Sequence, residues 1–295
     1  MLPPKCADLS VSVNILNIAK IKEVFMEKRF TLKDVLLAIA ATVVSLIVYR
    51  FFGGIIKNTV SNELYANFIG EAVFTAVAVL SVFVLKRTDV FQSEPGRLKE
   101  GWLSAAFLFI VILFFGFFSI IAILNATLSL PEWLAAFGFF LLIGFCEEVL
   151  FRGLIQGALH GMLGEDTHGK VLLAVALGGL AFGATHLTNF LRGISFQASL
   201  VQAIVTSFMG MYFGAIYFRT GKNVWYVALL HSLYDAVLLM TNGYLNGTSV
   251  NTALDATGTA SPYTALIWPV VYTALVLFIL RPQKIEPLLK KQIEQ

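Results

Sequence analysis

Three short stretches of the 295-residue chain carry side chains able to run acid–base chemistry. They are Cys146-Glu147-Glu148-Val149-Leu150-Phe151-Arg152-Gly153, Phe182-Gly183-Ala184-Thr185-His186 and His231-Ser232-Leu233-Tyr234-Asp235. On a helix Glu148 and Arg152 stand at i, i+4 with the acid N-terminal, the favourable order for an ion pair. Glu147 is turned about 100° away, so one carboxylate is neutralised and the other is left for another partner. His231 and Asp235 are also i, i+4 and project from one face. A Glu and a His converging on a water can deprotonate it for attack on a carbonyl. A second His with a nearby Asp can serve the oxyanion that develops. This set fits peptide-bond hydrolysis. One carboxylate and two histidines are equally an acceptable catalytic zinc set, although His-Glu-x-x-His does not occur in the chain. There is no Gly-x-Ser-x-Gly elbow, and Cys146 has no histidine in local motif context, so serine and cysteine nucleophiles are disfavoured. From the residues alone, metal-activated and Glu/His-activated water both stay open.

The elements that must position these groups are set by composition. Hydrophobic residues make up 58% of the chain, charged residues 13%, and the mean hydropathy is +0.80. A soluble domain carries roughly 25% charged residues. The shortage excludes a cytosolic globular enzyme, a disordered chain and a nucleic-acid binder, and makes the lipid bilayer the solvent. Eight stretches approach the ~20 apolar residues that a membrane helix needs: near Val35–Phe52, Leu64–Leu85, Trp102–Asn125, Trp133–Leu159, Val171–Thr188, Gln197–Phe218, Asn223–Met240 and Pro262–Leu280. The expected fold class is therefore all-α, a polytopic membrane bundle of about eight transmembrane helices. Residues 1–33 read as an N-terminal segment, amphipathic through Ile15, Ile18, Ile21, Val24 and Phe25 among lysines. Residues 34–281 form the membrane domain, with the motifs in a core at 133–240, and 282–295 form a tail. No cleavable signal sequence is expected, since the first thirty residues lack an apolar core region.

Of the 21 Lys and Arg, 17 fall in the N-terminal segment, the C-terminal tail and alternate loops, whereas the opposite loops hold Lys57 and Arg192 alone. The positive-inside rule then places both termini in the cytoplasm of a multi-pass protein, most simply in the cell membrane. Cys6 and Cys146 are no disulfide framework, because Cys146 lies in an apolar span.

Only eight ionisable groups remain inside the spans: Arg50, Glu71, Glu147, Glu148, Arg152, His186, His231 and Asp235. Each costs roughly 2.5–3.5 kcal/mol to insert and needs a reason. Arg50 reads as snorkelling to the interface, and Glu71 as its partner or an interior polar contact. The other six concentrate in spans four, five and seven. Counting 1.5 Å per residue from the basic loops puts Glu147, His186, His231 and Asp235 about 14–24 Å deep, which makes them one candidate site. His160 and His168 belong to a loop and are expected to be solvated.

Glu147-Glu148-x-x-x-Arg152, Phe182-x-x-x-His186 and His231-x-x-x-Asp235 resemble, in order, the three motifs of the CAAX-protease and bacteriocin-processing (CPBP, or Abi) family, which includes Rce1-type CAAX prenyl proteases. The resemblance implies an intramembrane glutamic-type endopeptidase that requires no cofactor. Glu147 would match the catalytic glutamate and work with His186 on water, while His231 and Asp235 would match the oxyanion-hole pair. Glu148 and Arg152 would organise the site. Its substrate would be a membrane-associated peptide or protein, prenylated in the Rce1-type case. Asp235 departs from the Asn often found there, and an ionised Asp cannot donate to an oxyanion; it would be protonated or would orient His231. The alternatives are a zinc-dependent protease, a non-catalytic scaffold or bacteriocin immunity protein of the same family, and a proton-coupled transporter. No inverted repeat supports the last of these.

Overall fold

Polar side chains at the entries of the apolar stretches decide where the helices begin. Asp34 Oδ2 reaches back to the Thr31 N–H (2.8 Å), Asn62 Oδ1 accepts from the Leu64 and Tyr65 N–H groups, and Glu132 Oε2 accepts from the Ser129 N–H (2.9 Å). The computed structural model describes residues 30–94, 96–125, 128–239 and 265–293. Among these it is all-helical. The helices are α1 (Leu32–Thr59), α2 (Glu63–Val84), α3 (Leu98–Ser104), α4 (Ala106–Asn125), α5 (Leu130–Glu148), α6 (Gly157–Leu163), α7 (His168–His186), α8 (Phe196–Arg219), α9 (Val224–Leu239), α10 (Ile267–Ile279) and α11 (Pro282–Ile293). Single 3₁₀ stretches occupy Thr88–Phe91 and Leu187–Arg192, and Val149–Gln156 is a π-helix joining α5 to α6. The amphipathic N-terminal segment expected at 1–33 lies outside the described residues except at its end, where Leu32 already opens α1.

Among the described residues, each of the eight expected stretches lies mainly on helix. Five helical runs are long and apolar enough to cross a membrane, or six if α3 and α4 count as one span; α9 and α10 are shorter. The expected third span is therefore not straight: α3 and α4 meet at a 60° bend. The cause is Tyr212 of α8, whose hydroxyl donates to Ser104 O (2.8 Å) and accepts from the Leu108 N–H, so it stands inside the i→i−4 ladder. The expected C-terminal tail is also not loose, because α11 buries Ile285 and Leu289.

α8 is the axis of the bundle. From Tyr212 to Arg219 every side chain is buried, and α7, α10 and the π-helix pack around it. α5 lies between α2 and α9. Large apolar side chains point outward instead, Leu113, Leu103 and Val84 being about three-quarters exposed (74%, 71% and 70%). A surface of that kind is stable in lipid and unstable in water. The loops sort into two ends. At one end Arg97 bonds Phe218 O, Arg219 bonds Lys284 O and pairs with Glu100, His168 bonds Leu280 O, and Arg87 lies over the Phe30 ring. These segments carry the basic residues that the charge asymmetry grouped together. At the other end Asn62 bonds Glu132 and Arg50 bonds Thr188.

Glycines allow the closest crossings. A Cβ on Gly144 of α5 would strike Ser232 N and Ala228 O of α9, and one on Gly183 of α7 would strike Ala203 O of α8. Backbone atoms cannot move aside as a side-chain tip can. Gly144→Ala is expected to lower stability by about 1–3 kcal/mol, seen as a reduced unfolding midpoint in detergent.

Candidate active site

α5 keeps a regular winding up to Glu148, and the π-helix begins at the next residue. π-turns are rare, occur mostly singly and favour functional sites. Here eight residues take that winding, directly after the two glutamates. Glu148 is fully buried and faces two partners: Arg152 Nε lies 3.0 Å from its Oε2, and His231 Nδ1 lies 2.8 Å from its Oε1. The Arg152 Nε–H is not aimed at Oε2, so charge rather than an aligned hydrogen bond holds that pair. Arg152 Nη2 donates to Gly210 O (3.2 Å), and the guanidinium carbon lies 4.6 Å from the Phe182 ring centre and 5.7 Å from that of Phe213. An otherwise unaffordable buried charge thus has a carboxylate, a carbonyl and two aromatic faces.

The Glu148–Arg152 pair stands as the spacing predicted, but Glu148 is not used up by it, because it also holds His231. A carboxylate only accepts, so the short contact puts a proton on His231 Nδ1. Nε2 of the same ring then faces Glu147 Oε2 and Asp235 Oδ2, each at 3.6 Å. These distances are too long for direct hydrogen bonds. Phe213 stacks against the imidazole at 5.0 Å and 30°. Asp235, the partner expected for His231, faces its Nε2, whereas Glu148, which the spacing assigned to Arg152, binds its Nδ1.

His186 sits at the last turn of α7, where its Nδ1 lies 3.1 Å from Phe182 O. That carbonyl fixes the proton on Nδ1 and leaves Nε2 as an acceptor. The Phe182 ring meets His186 edge-on at 4.8 Å and His231 edge-on at 5.9 Å, so it stands between the two imidazoles. Among the described residues His186 forms no ion pair with Glu147. Helices α5, α7 and α9 and the π-helix therefore bring the six motif residues to one region, with His231 closer than His186 to Glu147.

The other polar groups depart from expectation. Arg50 does not pair with Glu71; its Nη2 bonds Thr188 Oγ1 (2.6 Å) and Thr188 O (2.9 Å), two residues past His186 at one end of the bundle. Glu71 is buried and bonded to Tyr49. His160 is not solvated: it is 1% exposed, stacked on Phe218, with Nδ1 3.2 Å from Glu165 Oε1 and Nε2 3.2 Å from Gln156 Nε2. His168 is half-buried and bonds Leu280 O (2.7 Å). The helix simply continues past the point where apolar composition suggested a loop. Cys146 is buried with a free thiol. Among the described residues no three His, Cys, Asp or Glu side chains are placed to hold a metal ion.

Residues 128–237 match the family model described as Type II CAAX prenyl endopeptidase Rce1-like. The motif-bearing core is Rce1-like. No curated protein and no solved structure matches the chain. The Rce1-like segment runs from just before α5 into α9 and contains all six motif residues. Together with the helices long and apolar enough to cross a membrane, this likeness of the core points to an integral membrane protein. Two contributors to the site had no catalytic signature in the sequence: the Gly210 carbonyl, which no side chain advertises, and Phe213, one aromatic among 26 phenylalanines.

Removing Arg152 leaves Glu148 buried with only an imidazole beside it. Arg152→Met is expected to cost about 3–5 kcal/mol, measured as loss of folded protein in detergent. Asp235→Asn, which removes no member of that pair, is expected to leave folding intact.

Proposed function

We propose that the chain is an intramembrane endopeptidase that cleaves a peptide bond with a water activated by Glu147 and His186. The observation that carries this reading is the convergence of Glu147, Glu148 and Asp235 on the single buried imidazole of His231. Such a concentration of ionisable groups is costly in apolar surroundings and marks a functional site there. In this reading His186 uses its Nε2 lone pair, and Glu147, which retains some exposure (22%), takes the proton from water. His231, held at Nδ1 by Glu148 and carrying a second proton as the imidazolium among the carboxylates that surround it, directs Nε2–H toward the oxyanion as the carbonyl is attacked. A carboxylate cannot donate to an oxyanion, so Asp235 acts on the orientation and charge of His231. Glu148 and Arg152 organise the site, and no cofactor is required.

The substrate is a membrane-anchored peptide or protein. The family description names CAAX prenyl proteins, and we extend that to this chain as the substrate class. The basic end of the bundle faces the cytoplasm, with both termini on that side.

In proteoliposomes, Glu147→Ala and His186→Ala are each expected to lower cleavage of a prenylated CAAX peptide by at least about 100-fold, with unchanged unfolding midpoints. Cleavage by both variants at the wild-type rate would overturn the reading. Activity is expected to survive a strong chelator; loss restored by added zinc would replace the metal-free water activation with a zinc one.

A further inference from the structure

The polar face that continues from α5 through the π-helix into α6 does not end at the site. Glu148, Arg152, Gln156 and His160 recur every fourth residue, and all four are at most 1% exposed. α8 answers at the same interval. Arg152 Nη2 donates to Gly210 O, Gln156 Nε2 donates to Gly214 O (3.0 Å), and His160 stacks on Phe218 (5.4 Å, 25°). α8 can come this close to Gln156 because residue 214 is glycine, whose Cβ would strike Gln156 Oε1. On the α7 side Gly178 leaves the same side chain room, since a Cβ there would stand 3.1 Å from Gln156 Cβ.

The hydrogen bonds of this ladder have fixed directions. Lys222 Nζ lies 2.8 Å from Glu165 Oε1. Glu165 lies beyond the end of α6; burial tends to raise its pKa, but Lys222 and His160 outweigh this and hold it below the usual carboxylate range. An amide nitrogen only donates, so His160 Nε2 is the acceptor for Gln156 Nε2–H and the ring proton sits on Nδ1, which faces Glu165 Oε1 at 3.2 Å through charge rather than an aligned hydrogen bond. The second Gln156 N–H goes to Gly214 O. The amide therefore cannot flip without placing its oxygen against the Gly214 carbonyl.

Rungs two and three lie along or just past the π-helix. π-winding is not maintained by its own hydrogen bonds over such a length and needs tertiary support. An α-helix turns about 100° per residue, and the wider π-winding turns less. If the segment relaxed to α-helix, the difference would accumulate over eight residues and turn Glu147 and Glu148 away from His231.

We propose that Gln156 and His160 are positioning residues for the reaction: with Arg152 they lock the π-helix onto α8 and so set the direction in which Glu147 and Glu148 project. The proposal rests on the peptidase reading for its kinetic test but not for its spectroscopic one. The variants are Gln156→Leu, which keeps the volume without the amide, and His160→Phe, which keeps the ring stack without the nitrogens. Each is expected to lower kcat about 10- to 100-fold, as a displacement of order 1 Å does, with KM unchanged and the pH profile of kcat displaced. Gly214→Ala is expected to behave like Gln156→Leu, and to have little further effect when combined with Gln156→Ala. Independently of any activity, the ¹⁵N resonances of the His231 ring are expected to shift in Gln156→Leu, reporting a changed Nδ1–Glu148 bond. A fall in rate that merely follows the folded fraction, with an unmoved pH profile and unmoved His231 resonances, would overturn the proposal. If wild-type protein cleaves nothing while the His231 resonances shift as expected, the peptidase reading fails and the positioning role stands.

Discussion

A guanidinium that cannot lose its proton, placed at 1% exposure inside an apolar bundle, constrains everything around it. Arg152 needs a carboxylate, and Glu148 supplies one four residues earlier. It needs acceptors, and Gly210 offers its carbonyl; it needs polarisable surroundings, and Phe182 and Phe213 present their faces. These partners come from α7 and α8 as well as from its own helix. Meeting the needs of one charge therefore fixes how three helices pack. The imidazole of His231 joins the same carboxylate from α9. The site is a by-product of neutralising Arg152 in a medium that cannot do it.

The bilayer imposes a second constraint of opposite sense. Water would drive leucine and phenylalanine side chains inward, whereas here they populate the outside and the polar side chains the inside. Packing inside must then come from small residues and hydrogen bonds, because lipid tails offer no hydrophobic gain for bringing helices together. Gly144, Gly183 and Gly214 serve that purpose, and so do the serine and threonine hydroxyls bonded back to their own helices, Ser207 to Ala203 O and Ser232 to Ala228 O among them.

Much of this was legible in the sequence, for physical reasons that can be named. Apolar stretches identified helices because membrane insertion reads composition more than detailed packing, and scarcity of charge made Glu147, Glu148, Arg152, His186, His231 and Asp235 conspicuous. Their convergence followed from depth alone. What was not legible depends on tertiary geometry. The second partner of Glu148 comes from a helix 83 residues away. The bend at Ala105 is made by Tyr212, and nothing near residue 105 foretells it. Apolar composition marked the end of a span near Leu159, but the helix runs on to Leu163 and buries His160. The four-residue recurrence through Gln156 to His160 was present in the sequence; the assumption that a histidine beside a loop is solvated concealed it.

The near-contact of α7 and α8 has a mechanical consequence. Gly179 and Gly183 face the backbone of α8 at Ser207 and Ala203, and Gly210 faces Gly179, so that backbone approaches backbone at each of them. Two rods joined backbone to backbone move as one lever. His186 rides on the first, and the carbonyls that hold Arg152 and Gln156 ride on the second. Any opening that admits a ligand must therefore displace His186 and the anchors of the glutamates together, or leave both at rest and open elsewhere in the bundle. The chemistry is protected from partial disassembly by the absence of a few methyl groups.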